Sequence, residues 1–213
     1  MIGALILRDC ARSWRSRSAA LPVVFILLVA TMIPFALGPD PRLLRQTGGG
    51  MLWVAALLAS LLPVDRLIDP DRDSGVLDQL AVRAVSEEAV VSAKLVAHWI
   101  GFGPPLLLAV LPASALLNLP GALVLQIELG LLLGTPGLAA LALMAATLTA
   151  GIRNNSALAG LIVLPLAVPL LIFGAGTLHQ DGGAAVKLLA ATALVLVAIT
   201  PFVGGAALRA GRG

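Results

Sequence analysis

Six stretches of this chain run for nineteen residues or more without any Asp, Glu, Lys or Arg: 18–39, 46–64, 95–127, 129–152, 154–180 and 188–208. Roughly 20 consecutive apolar residues carry an α-helix across a bilayer. Backbone polar groups find no water in lipid, so a spanning segment must satisfy its own, as a helix does. The pattern predicts an all-α integral membrane protein with six transmembrane helices. Residues 1–213 read as a single transmembrane domain, with little chain left for a soluble one.

Between the second and third stretches lies their opposite. Residues 65–94 hold seven of the eleven acids and four of the fourteen bases. Each such charge would cost several kcal/mol at mid-bilayer, so this segment is expected at a watery surface. Within it Leu77, Leu80, Ala81 and Ala84 recur at i, i+3, i+4 and i+7. That spacing predicts a short helix beginning near Ser74, with one apolar face. So short a helix is marginal alone, and its apolar face must rest on lipid, on the spans or on another protein. Asp69-Pro70-Asp71-Arg72-Asp73 before it reads as a polar turn, on which Asp71→Asn is expected to have little effect.

The bases sit near the ends of the spans and give an orientation. With the N-terminus inside, Arg8, Arg12, Arg15, Arg17, Arg66, Arg72, Arg83, Lys94, Arg153, Arg209 and Arg212 are cytoplasmic, and only Arg42, Arg45 and Lys187 are outside. The positive-inside rule then places both termini in the cytoplasm. The same arrangement argues against nucleic acid as a partner, because no basic patch carries interleaved aromatics. Residues 1–18 are expected to form an interfacial amphipathic helix. Leu7, Cys10, Ala11 and Trp14 share one sector and Arg8, Arg12 and Arg15 the next, which suits a helix lying among lipid headgroups. The first apolar run is too long for a signal peptide and has no small-residue cleavage site after it.

Turn chemistry marks the boundaries. Gly38-Pro39-Asp40-Pro41 should end the first span, Gly48-Gly49-Gly50 should open the second, and Trp53 sits where an interfacial aromatic belongs. Ser86 can cap the third span, with Glu87 and Glu88 at its positive end. Pro104-Pro105 should kink that helix, Asn118 to Gly121 should turn to the fourth span, and Gly134-Thr135-Pro136-Gly137 should interrupt it.

No energy source is visible. The only lysines, Lys94 and Lys187, are each followed by Leu, so no Gly-rich phosphate loop ending in Lys-Ser or Lys-Thr exists. No metal set is expected, since His98 and His179 stand far apart and Cys10 is the single cysteine. No catalytic group is assigned. His98 and Glu128 fall inside apolar stretches, and an intramembrane ionisable residue is a functional candidate. His98 could be a ligand or a packing hydrogen bond, and Glu128 could simply reach the interface.

Several ordered pieces carry a resemblance: Trp53-Val54-Ala55-Ala56-Leu57-Leu58, then Asp65-Arg66-Leu67, Gly75-Val76-Leu77-Asp78-Gln79-Leu80 and Ala93-Lys94-Leu95-Val96-Ala97-His98-Trp99. Leu132-Leu133-Gly134-Thr135-Pro136, Pro169-Leu170-Leu171-Ile172-Phe173 and Ala206-Ala207-Leu208-Arg209 follow. In order and spacing the chain resembles the cytochrome c maturation protein B (haem exporter protein B) family over essentially its whole length. It departs from the usual pattern at Ser74, where Asp is usual, and at Asp78 and Asp65, where Glu is common.

The resemblance implies the permease-like membrane subunit of an ABC-type complex in the bacterial inner membrane. It implies a cytoplasmic ATPase (protein A), membrane proteins C and D and a periplasmic haem chaperone E as partners. ATP is expected only on the ATPase, and haem only as a transported or client-bound species, with no cofactor bound intrinsically. Hydrolysis would release the haem-loaded chaperone or drive haem export. The coupling set would then be Asp65, Arg66, Gly75, Leu77, Asp78, Gln79 and Leu80, on a coupling segment at 65–94, and His98 and Glu128 would be the candidate haem-contacting or functional intramembrane residues. Two other readings fit the sequence: a permease for a drug, lipid or polysaccharide, and a non-transporting scaffold.

Overall fold

A computed structural model describes residues 2–15, 20–38, 40–152, 155–179 and 182–211. Arg17, Arg153 and Arg212, which the orientation argument uses, lie outside these residues, as do Pro39 and the expected end of the interfacial helix at 16–18. The described elements are helical: α1 (Ile2–Arg15), α2 (Ala20–Leu37), α3 (Pro41–Leu61), a 3₁₀ turn (Val64–Arg66), α4 (Asp69–Asp73), α5 (Val76–Val82), α6 (Glu87–Leu116), α7 (Gly121–Leu148), α8 (Asn155–Gly176) and α9 (Gly183–Ala210). Six of them, α2, α3 and α6 to α9, are long and apolar enough to cross a membrane.

α7 is the axis of the bundle. Every residue from Gly137 to Thr147 is buried, as expected of a helix that is apolar all round. Seven of those eleven are Gly, Ala or Thr, small residues that let helix backbones approach where lipid supplies no hydrophobic drive between helices. Trp99 Nε1 donates to Thr135 Oγ1 at 3.2 Å and ties α6 to α7. Two expectations are corrected here. α7 passes through Gly134-Thr135-Pro136-Gly137 as one uninterrupted helix, because neighbouring helices enclose it. The second span starts at Pro41, not at the triple glycine, since Asp40 caps it through the Arg42 N–H at 2.9 Å and Pro41 suits the first turn. Gly48 and Gly49 lie inside α3, where leucines of the α6–α7 turn and of the segment after α8 press close.

Trp53 also departs from expectation. It is not an interfacial aromatic: it is 1% exposed, with its indole wedged against Gly130 and Gly134 of α7 and Gly174 of α8. The reason is shape, because three glycines leave a slot that only a large flat ring fills.

Other boundaries follow the local chemistry. Ser86 accepts from the Ala89 N–H at 3.3 Å and caps α6. α5 ends in a Schellman motif: Ala84 has φ 56°, the Val85 N–H donates to Leu80 C=O at 3.1 Å, and Val85 and Leu80 share an apolar cluster. α6 ends alike, with Asn118 at φ 52° and the Leu119 N–H donating to Ser114 C=O at 3.0 Å.

Candidate functional site at the charged end

One end of the bundle gathers α1, α4, α5, the start of α6 and the end of α9. Arg209 of α9 pairs with Glu87 at 3.3 Å and with Glu88, both in the first turn of α6. This contact is solvated, and exposed ion pairs contribute little. Arg209→Gln is expected to leave the melting profile of the detergent-purified protein nearly unchanged.

The contrast lies at Asp71. Its side chain is wholly buried, which overturns the expectation that it is a replaceable turn residue. Lys94 Nζ donates to Asp71 Oδ2 at 2.6 Å, Arg8 to the same oxygen at 2.6 Å, and Arg12 to Oδ1 at 2.8 Å. Lys94 is itself buried and donates also to Leu67 C=O at 2.8 Å and to Asp9 Oδ2 at 3.3 Å. Its three N–H donors therefore have three acceptors. Arg8 completes the ring on Asp9 at 2.7 Å. Asp71 lies on α4, beyond the end of α3. Burial alone would raise its carboxyl, but the charge and hydrogen bond of Lys94, with Arg12 and Arg8, outweigh it and hold it at about 2. The cluster joins three separate pieces of chain: α1, the segment after α3, and α6.

α1 turns two faces to its surroundings. Leu5, Asp9, Cys10 and Ser13 lie against the protein, while Ala4, Leu7, Ala11 and Trp14 are exposed, an apolar stripe suited to the headgroup region. Cys10 leaves the sector expected for it: its Sγ lies 4.0 Å from Ala97 C=O, and burial pushes its thiol up. It is thus a packing residue more than a nucleophile.

The short helix begins at Val76, just after Ser74. Gly75 makes the entry with φ 70°, a left-handed turn that glycine takes without strain. α5's apolar face is spent inside the molecule, because Leu80 packs with Val85 and Val90 against Leu5, Val76 and Leu77. Asp78, Gln79, Val82 and Arg83 point outward, and Val82 is 88% exposed. Leu80→Asp is therefore expected to loosen this segment by itself, since burying a Leu contributes about 1.5–3 kcal/mol. A drop in thermal stability of the isolated protein checks this. Beside α5 runs a groove of about 620 Å³ that includes Arg72, Leu77, Asp78, Thr147 and Leu208. Gly151, at φ 77°, donates its N–H to Asp69 at 3.2 Å, and the Arg72 guanidinium occupies the space a side chain would need.

The remaining candidates separate. Asp65 and Arg66 lie exposed in the 3₁₀ turn. His98 is buried on α6, stacked on Phe102 with ring centroids 5.8 Å apart, and its Nε2 has no partner among the described residues. Glu128 is half-buried on α7 with Oε1 likewise unpartnered. The Trp99–Thr135 contact fixes the register of these antiparallel helices. Glu128 lies seven residues further toward the opposite end, about 10 Å along the axis, so it does not join His98 in one site. Asp71, Asp9, Arg8 and Arg12 are the residues that sequence reasoning missed. The available signal was Arg8 and Arg12 one helical turn apart, with a lone lysine on the same α6 face as His98.

Among known proteins, the family model described as CcmB protein matches residues 1–211. Heme exporter protein B of Rhodobacter capsulatus is 41% identical over 212 residues, 97% of each chain. That of Paracoccus denitrificans is also 41% identical over 212 residues, with the same coverage. That of Escherichia coli K12 is 38% identical over 199 residues, 91% of this chain and 90% of the relative.

Proposed function

The chain belongs to the CcmB protein family, and from that premise we propose that it is the permease-type membrane subunit of a haem-handling ABC complex of cytochrome c biogenesis. Relatives are named heme exporter protein B. In this reading both termini and the charged end face the cytoplasm, a partner ATPase docks there, and the partner alone hydrolyses ATP. Its work is passed through this chain to release of a haem-loaded periplasmic chaperone or to haem export, in company with membrane proteins C and D.

One observation carries the coupling role. The outward face of α5 is exposed, while the segment that bears it is bolted to α1 and α6 through Asp71. A push on α5 or α4 is therefore delivered to the spans and not absorbed by a floppy loop. Gly75 provides the pivot between α4 and α5, Leu77 and Leu80 hold α5 down, and Asp78, Gln79 and Val82 are the contact, with Asp65 and Arg66 at the edge. The groove beside α5 gives the partner a recess in the helix-in-groove manner.

The test is co-purification of the ATPase with tagged variants from membranes. Val82→Asp places a carboxylate where an apolar contact is proposed, and about 1.4 kcal/mol suffices for a tenfold loss. Val82→Asp and Asp78→Lys are expected to reduce the captured ATPase at least tenfold while the protein itself melts as the wild type does. Undiminished capture by both variants would remove α5 as the docking element. Reporter fusions after Asp73 and after Gly183 check the orientation, expected cytoplasmic and periplasmic respectively.

A further inference from the structure

Beneath the Asp71 cluster is a cavity of about 320 Å³ between α1, the start of α2, the 3₁₀ turn and α6. That volume is at the small end of ligand pockets, roughly 300–1,000 Å³. Arg12, Arg66, Lys94 and Asp9 line it, so cations outnumber carboxylates among its charged groups, and His98 and Phe102 form part of its wall. Lys94 is saturated by its three acceptors. Arg12 spends one nitrogen on Asp71 and has others to offer. Arg66 has no ionic partner among the described residues. His98 is 7% exposed, and its Nε2 is without a partner among the described residues. A cavity lined by two guanidinium groups with donors to spare, and by a buried histidine whose Nε2 has no partner among the described residues, describes a site prepared for an oxygen-rich anion.

We propose that this cavity holds the phosphate of an anionic phospholipid headgroup. The surroundings favour a lipid over a soluble phosphate. α1 presents Leu7 and Trp14 outward, and α2, whose Pro22 lines the cavity, presents Leu21, Val24 and Leu28 outward. The cavity thus lies between two helices that carry exposed apolar side chains, at the charged end of the spans, and basic pockets between membrane helices bind anionic headgroups. The cavity has room for a headgroup and not for acyl chains, which would lie along α2. Arg66 and Arg12 grip the phosphate oxygens, and His98 bonds the deepest polar atom.

The experiment uses the full chain alone, purified in detergent and stripped of lipid, so docking of the ATPase does not enter it. Native mass spectrometry follows binding of dioleoyl phosphatidylglycerol and dioleoyl phosphatidylcholine, and a thermal-shift assay follows inorganic phosphate. The expected result is one retained phosphatidylglycerol, preferred at least tenfold over phosphatidylcholine. Arg66→Gln should abolish that preference, Arg66→Lys should restore part of it, and Arg209→Gln, a surface base outside the cavity, should leave it intact. Because Arg66 is exposed, its replacement does not threaten the fold. His98→Gln, which keeps a polar atom, should retain more phosphatidylglycerol than His98→Leu. Equal binding of the two lipids, or unchanged preference in Arg66→Gln, overturns the proposal. So does stabilisation by inorganic phosphate with no preference among lipids, which would assign the cavity to a soluble anion.

Discussion

Asp71→Ala is expected to lower the stability of the purified protein by roughly 3–5 kcal/mol, the usual consequence of removing one partner from a buried ion pair. Lys94 is 6% exposed, and without Asp71 it keeps, among the described residues, Asp9 at 3.3 Å and one carbonyl. Arg8 and Arg12 are part-solvated and tolerate the loss better, which sets the effect toward the lower part of that range. Asp71→Asn keeps the shape but not the charge, and should follow the same direction. The informative variant is Asp71→Asn with Lys94→Met, in which neither buried charge is left alone. It should recover part of the stability that either single variant loses. Melting in detergent and the amount of protein in membranes read this. If Asp71→Ala behaves as Arg209→Gln does, the cluster is not holding α1 and α4 to α6. The coupling role proposed for that connection would then lose its physical basis.

The spans were legible because their cause is local. A charge-free run of twenty residues has few fates in a 213-residue chain, and Asp40-Pro41, Ser86 and Asn118 are cap and turn residues that act within a few positions of themselves. The apolar spacing of α5 was legible for the same reason. Asp71 was not. Its partners Arg8 and Arg12 lie 63 and 59 residues earlier, and Asp-Pro-Asp-Arg-Asp has the composition of a solvated turn. Only the return of α1 onto α6 seals it. Leu77 and Leu80 illustrate the intermediate case. Their spacing demands a covering surface, but periodicity does not say whose, and the structure supplies it from Leu5, Val85 and Val90 of the same chain. The contact surface proposed for α5 thereby moves from its leucines to the exposed Asp78, Gln79 and Val82.

Gly134, expected to interrupt a span, instead forms part of a slot. An α-helix through Gly130 and Gly134 presents a flat strip, and Gly174 of α8 completes it, so Trp53 lies where no methyl group fits. A Cβ at Gly134 would stand 2.5 Å from the ring's Cη2, and one at Gly174 would stand 2.7 Å from three ring atoms. Overpacking of this kind typically costs about 1–3 kcal/mol. Gly134→Ala and Gly174→Ala should each lower stability by that much, and together by more, since the ring cannot retreat from both. Gly160, on α8 as well, has open space around it. Gly160→Ala should be neutral or slightly stabilising, because alanine favours the helix. Trp53→Phe shrinks the wedge and leaves a void, which destabilises on its own. Combined with Gly174→Ala it should do less harm than the two effects added, as expected of groups in contact. Detergent melting of the four single variants and the two double variants decides it. Simple additivity of Trp53→Phe and Gly174→Ala, with Gly174→Ala no worse than Gly160→Ala, would show that the indole does not depend on these glycines for its place.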